Sequence, residues 1–248
     1  LAIGLAGYPY FRKVCGFDKA TSFYAAMPGG LQDMLVFGEE AGGSPRVLSL
    51  IHATRVLVIV STLPLILSFA MSINLDRPPG EAAAVIPIDE LVLMVALAAA
   101  GWAVAARIGL FGASILGPLI LAAVASLAGF LHHRPPTEAI LAAQFFIGMG
   151  VGVKYVGITG QELRRVVGAG LGYCVILAIL SVIVAEVVIA LGLAPPLEAI
   201  LAFSPGGQAE MTVLAIVAGA DIAFVVTHHL LRIVTVIIGA PIFFRYFS

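Results

Sequence analysis

Long apolar runs separated by short polar or glycine-rich breaks fill this chain. They cover 91–107, 110–130, 138–153, 166–191, 197–219 and 222–244, preceded by a shorter set at 1–10, 20–42 and 46–71. Strand alternation is absent, and runs of this length predict α-helices rather than buried strands. Two runs carry an internal breaker, Pro28-Gly29-Gly30 in 20–42 and Ser204-Pro205-Gly206-Gly207 in 197–219. Proline removes a backbone donor, and paired glycines open φ values closed to other residues, so each run predicts an interrupted helix. Polar residues gather instead at 74–90, where Asp76, Arg77, Pro78, Pro79, Glu81, Asp89 and Glu90 mark a linker.

The two breakers belong to one repeated signature. Met27-Pro28-Gly29-Gly30-Leu31-Gln32-Asp33-Met34 recurs as Ser204-Pro205-Gly206-Gly207-Gln208-Ala209-Glu210-Met211, 177 residues later. The register holds downstream: Gly42 matches Gly219, His52 matches His229, Arg55 matches Arg232 and Pro64 matches Pro241. This divides the chain into the later part of a first repeat (1–73), a linker (74–90) and a second repeat (91–248). The first breaker has 27 residues before it. The second is preceded by apolar runs reaching back to residue 91. Equal repeats would therefore need roughly ninety further residues ahead of the first.

Composition decides what these helices are for. The chain is 61% hydrophobic and 11% charged, with a mean hydropathy of +1.10, whereas soluble domains carry about a quarter charged residues. An integral, multi-pass membrane protein of all-α class is expected, with the lipid bilayer as its first partner. A net charge of −1 gives no basic field for nucleic acid. Basic residues favour cytoplasmic loops. Arg12, Lys13 and Lys19, then Lys154, Arg164 and Arg165, and finally Arg245 therefore mark the inner face, and the acidic stretches 74–90 and 192–198 the outer. That count makes the broken segments re-entrant and the two repeats inverted. A fully spanning broken segment would instead make them parallel, and Arg134 sits on the wrong side for the inverted reading.

The chemistry follows from the breaks. A half-helix beginning after Pro-Gly-Gly points its positive end and free N–H groups at the interruption, a setting that favours an anion. Unwound backbone is tolerated at membrane depth only where protein or a watery cavity covers it. Pro28, Gly29, Gly30, Ser204, Pro205, Gly206 and Gly207 are therefore candidate site residues. Asp33 and Glu210, in the first turn of each half-helix, are candidate cation ligands or proton carriers, with Gln32 and Gln208 as amide ligands. Their alternative role is to satisfy the free N–H groups. Arg55 and Arg232 lie too deep in their helices to snorkel. The two carboxylates are their expected partners, in a static pair or at a substrate site. His52 and His229, three residues before the arginines, could couple protons. His132-His133 and His228-His229 suggest metal, but adjacent helical residues diverge by about 100° and do not chelate together. Gly148, Gly150 and Gly152 read as small residues at a helix interface. No cofactor is expected beyond a coupling Na⁺ or proton.

Ser204-Pro205-Gly206-Gly207, Gly219-Ala220-Asp221-Ile222, Leu231-Arg232 and Pro241, with Leu116-Gly117-Pro118 and the 148–154 stretch, resemble the membrane AbrB family of duplicated bacterial proteins. The first copy departs from it, with Met27 for the serine and Ser44 in the place of Asp221. The resemblance implies a multi-pass protein of the bacterial inner membrane, not an enzyme. It also brings associations with regulation of gene expression and with ammonia monooxygenase. The residues favour a secondary transporter for a small, anionic solute, coupled to a proton or Na⁺, with a homodimer as its candidate assembly; a membrane regulator and an ammonia-oxidation subunit are the competing readings.

Overall fold

The computed structural model describes residues 2–110, 113–153 and 155–247. Lys154, used above to place an inner loop, lies outside them, as does the side chain of Gln32. The described chain is helical, with no strand among the described residues. α1 (Ala2–Pro9) passes into a π-helical stretch Tyr10–Val14, followed by α2 (Lys19–Ala26), α3 (Leu31–Glu40) and α4 (Pro45–Ala70). Next come α5 (Ile88–Arg107), α6 (Ala113–Leu127) and α7 (Thr137–Val153). A turn, α8 (Gly160–Glu162), runs through a π-helical stretch Leu163–Val167 into α9 (Gly168–Ala190). The chain ends with α10 (Pro196–Phe203), α11 (Gln208–Ala218) and α12 (Ile222–Phe247). α5 starts inside the acidic stretch expected to be linker, because Asp89 and Glu90 complement the positive end of its first turn.

Pro45–Ala70, Ile88–Arg107, Gly160–Ala190 and Ile222–Tyr246 are long and apolar enough to cross a membrane. They present apolar side chains outward, among them Leu65, Phe69, Trp102, Val175, Ile179 and Ile238. Water penalises such continuous apolar surface, and a bilayer does not. The fold is that of an integral membrane protein.

The chain packs as two compact units. Pro78–Phe146 forms one. In it α5 crosses α6 where Gly101 meets the Gly117 backbone so closely that neither position has room for a Cβ. Thr137 closes the connection by donating its N–H to the Glu81 carbonyl and its hydroxyl to Gly80. His132 and His133 lie in a loop rather than a helix, so the helical divergence argued above does not apply. Both Nδ1 atoms converge on the Glu90 carboxylate at 3.0 and 3.1 Å, and both backbone N–H groups donate to it as well. Glu90 thereby fastens this loop to the start of α5. At Gly148, Gly150 and Gly152 an added Cβ would meet nothing within 4 Å, so packing inside the molecule does not explain these glycines.

Leu1–Arg77 and Ile147–Ser248 form the other unit, which holds both broken segments. One apolar core gathers Phe11, Phe23, Tyr24, Leu48, Ile51, Tyr173 and Leu177 around the first. A second gathers Ile59, Leu63, Leu67, Leu201, Met211, Ala215 and Val225 around the other.

Candidate functional site

Each break divides its segment into two helices, α2 and α3 around 27–30 and α10 and α11 around 204–207. The half-helices have 8, 10, 8 and 11 residues. At ~1.5 Å per residue none of them reaches across a hydrocarbon core of about 30 Å. They fold back as hairpins. Thr21 Oγ1, at the start of α2, accepts the Ser44 N–H at 2.8 Å, just beyond the end of α3. In the second copy Glu198 Oε1 accepts the Asp221 N–H at 3.2 Å. The pairs are equivalent in the 177-residue register, so different side chains close the same base. Ser44 and Asp221 then cap α4 and α12 through the N–H groups of Val47 and Phe224. Gly42 and Gly219 turn the chain at φ +83° and +76°, a conformation that L side chains rarely adopt.

At the hairpin tips the last carbonyls of α2 and α10 lose their helical donors. His52 Nε2 meets the Tyr24 carbonyl at 3.2 Å, and His229 Nε2 the Leu201 carbonyl at 3.0 Å. Arg55 donates to Gly29 at 2.9 Å and Met27 at 3.5 Å, and Arg232 to Gly206 at 2.7 Å and Ser204 at 2.9 Å. The Tyr173 hydroxyl, which sequence reasoning missed, takes the Ala26 carbonyl at 2.6 Å. The arginines therefore bind backbone carbonyls instead of the carboxylates expected. Among the described residues no carboxylate lies within ion-pair distance of either. The preference is physical: unwound carbonyls turned away from water need donors, and a planar fork of donors suits two of them.

The carboxylates sit on their own half-helices. A Cβ added at Gly30 would lie 2.5 Å from the Asp33 carboxylate, and one at Gly207 would collide with that of Glu210. At Gly29 and Gly206 the obstacles are Met34 and Met211, each with its terminal methyl at 2.7 Å. Each glycine pair leaves room for a carboxylate and a methionine folded back over the break. Ser204 turns its hydroxyl to the Ile200 carbonyl at 2.7 Å and does not cap α11, a bond Met27 cannot make.

The long helices α4 and α12 link the two hairpins. α4 starts at the base of the first hairpin. Just past its far end, Met71 and Ile73 join the apolar cluster that Leu197 and Ala220 form at the base of the second, and Arg77 lies against Gly219. α12 runs the other way, from Asp221 to Phe244, whose ring packs on Phe23 and Tyr24 with centroids 5.2 and 5.3 Å apart. The hairpins thus enter this unit from opposite ends and point at one another. Arg55 lies within electrostatic reach of Glu210, and Arg232 within reach of Arg55. Arg55 is 3% exposed and His52 and His229 are 1% exposed. The Nε atoms of both arginines, Nδ1 of both histidines and Oε1 of Gln208 are buried without a partner. Each histidine bears its proton on the Nε2 that faces a carbonyl, so its Nδ1 is an acceptor like Gln208 Oε1, and the arginine Nε groups are the unpartnered donors. The two guanidinium groups lie beside the N-termini of α3 and α11. Among the described residues no group of three or more His, Cys, Asp or Glu could hold a metal ion.

A family model described as "Transition state regulatory protein AbrB" matches residues 1–248. "Uncharacterized protein YhjN" of Bacillus subtilis (strain 168) is 29% identical over 262 residues, covering 97% of this chain and 66% of its own length. "Putative regulator AbrB" of Escherichia coli (strain K12) is 24% identical over 238 residues, covering 92% of this chain and 66% of its own length. The chain thus spans just under two thirds of the length of both relatives. No solved structure matches it.

Proposed function

The chain belongs to the AbrB family, and from that premise we propose that it is a secondary transporter of the bacterial inner membrane. It carries a small anionic solute through a chamber between two oppositely entering hairpins. The supporting observation is the pair of guanidinium groups at the tips, Arg55 buried and Arg232 partly buried, each tied to backbone carbonyls and, among the described residues, with no carboxylate within ion-pair distance. A buried cation without a counter-charge is costly. An anion bound between the arginines and the N-termini of α3 and α11 relieves that cost and gains charge-assisted hydrogen bonds. Asp33 and Glu210, at the same breaks but outside the arginine bonds, are the groups to carry a coupling proton or Na⁺. Inverted repeats supply the two states of alternating access by exchanging the roles of their hairpins.

Counterflow of small radiolabelled carboxylates and inorganic anions into proteoliposomes tests this. Arg232→Gln keeps a donor but removes the charge, and Arg232→Lys keeps the charge but loses the fork. Flux should fall at least about 100-fold in Arg232→Gln, with the protein still monodisperse in detergent. Wild-type flux in that variant would take the arginine out of the site. A second reading has support in the printed name of the Escherichia coli relative: a membrane regulator that binds the same anion and moves none. Saturable binding with no counterflow would favour it.

A further inference from the structure

Polar bonds at two depths fasten α4 beside the proposed central site. Arg46, in the first turn of α4, pairs with Glu162 through Nε at 2.6 Å and Nη2 at 3.0 Å, and donates to the Gly157 carbonyl at 2.8 Å. Glu162 also accepts the N–H and hydroxyl of Thr159 in the capping box of the long helix that becomes α9. Eight residues along α4, about 12 Å deeper, the Thr54 hydroxyl meets the Tyr155 hydroxyl at 2.8 Å. Thr54 is 2% exposed, precedes Arg55 and packs against Gly170 of α9. Burial raises the Tyr155 phenol above its ordinary range, so it is a neutral hydroxyl at physiological pH. Cys174 of α9 lies within electrostatic reach of both Tyr155 and Arg55.

Two bonds at two depths therefore join α4 to the 155–162 segment, between the arginine chamber and the face bearing Arg164 and Arg165. On that face an open cleft of about 450 Å³ is lined by Gly160, Gln161, Arg164 and Arg165. In the 177-residue register Arg46 becomes Ala223 and Thr54 becomes Leu231, both exposed, so α12 carries neither of these two polar side chains. The apolar contacts of the two repeats are reciprocal, while these polar ones are not.

We propose that segment 155–162 is a two-layer latch closing the central site from the face bearing Arg164 and Arg165, with Tyr155–Thr54 as the inner bond and Arg46–Glu162 as the outer. The proposal rests on the chamber described above and names what controls access to it. An outer ion pair exposed to water is a weak and reversible fastening. The inner hydroxyl pair is buried and directional. Opening exchanges both for water and admits solvent and solute to Cys174 and Arg55.

The protein supplies its own reporter. Cys15 and Cys174 are its two cysteines, and Cys174 is 7% exposed. In a Cys15→Ser background, the rate at which a charged, membrane-impermeant methanethiosulfonate modifies Cys174 reads opening directly. It is measured on the full chain in proteoliposomes with reagent on both sides. Arg46→Glu should raise that rate roughly tenfold, and Tyr155→Phe should raise it less. The swap Arg46→Glu/Glu162→Arg should return it to the parent value, which separates latch opening from general loosening. Unchanged rates in both Arg46→Glu and Tyr155→Phe would overturn the latch, as would a swap as reactive as the single variant. The reading does not depend on flux. Faster modification in vesicles that show no counterflow leaves the latch standing and removes the transport reading. Counterflow with unchanged modification does the reverse.

Discussion

A buried guanidinium needs a counter-charge or a set of acceptors, and Arg55 and Arg232 take acceptors. The sequence marked both as too deep to remain alone, and marked Asp33 and Glu210 as the charges in reach. The structure assigns the arginines to carbonyls that exist as acceptors only because the chain unwinds at each break. His52 and His229 do the same one turn away, which gives them a positioning role for the hairpin tips. The carboxylates then owe their places to glycine. At Gly207 an added methyl group meets the flexible end of Glu210 and not backbone, so the side chain moves and the fold survives. Gly207→Ala should cost about 1 kcal/mol or less in stability. It should nevertheless cut coupled flux severely, because the carboxylate is displaced. Thermal unfolding in detergent alongside counterflow separates the two effects, and unchanged flux would show that Glu210 need not sit at the break.

At the scale of elements, hydropathy located the helices within a few residues and left open whether each broken segment spans or folds back. Its length suits either outcome. The decision belongs to base contacts between residues far apart in sequence, Thr21 with Ser44 and Glu198 with Asp221. These pairs share register but not chemistry, so no search for identical residues finds them. Glycine meaning is also an element-level property. Gly101 faces the Gly117 backbone and Gly148 faces open space. Gly101→Ala should therefore destabilise the α5–α6 crossing by about 1–3 kcal/mol, while Gly148→Ala should be neutral or slightly stabilising. Parallel thermal melts check the contrast, and equal midpoints would show that the close crossing does not hold the pair together.

For the whole molecule, the two repeats exchange partners. Each long helix begins at its own hairpin and ends on the other, so neither hairpin completes its apolar packing within its own repeat. The proposed inverted arrangement brings the tips together from opposite ends. Single cysteines at Lys19 and Glu198, in a Cys15→Ser/Cys174→Ser background, should then label from opposite faces of oriented vesicles. Labelling from one face would mean parallel repeats and would remove the shared chamber.

The sequence by itself determined the class of molecule, the places where helices run and break, and the residues that recur at 177-residue spacing. These are local or compositional properties: burial in lipid demands apolar helices, and Pro-Gly-Gly unwinds a helix wherever it stands. Only the tertiary structure decided what each recurring residue binds, that the broken segments fold back, and that Arg46 and Thr54 join α4 to the 155–162 segment. Those outcomes depend on which donors meet which acceptors across more than twenty residues of intervening chain, and such meetings follow from packing, not from spacing.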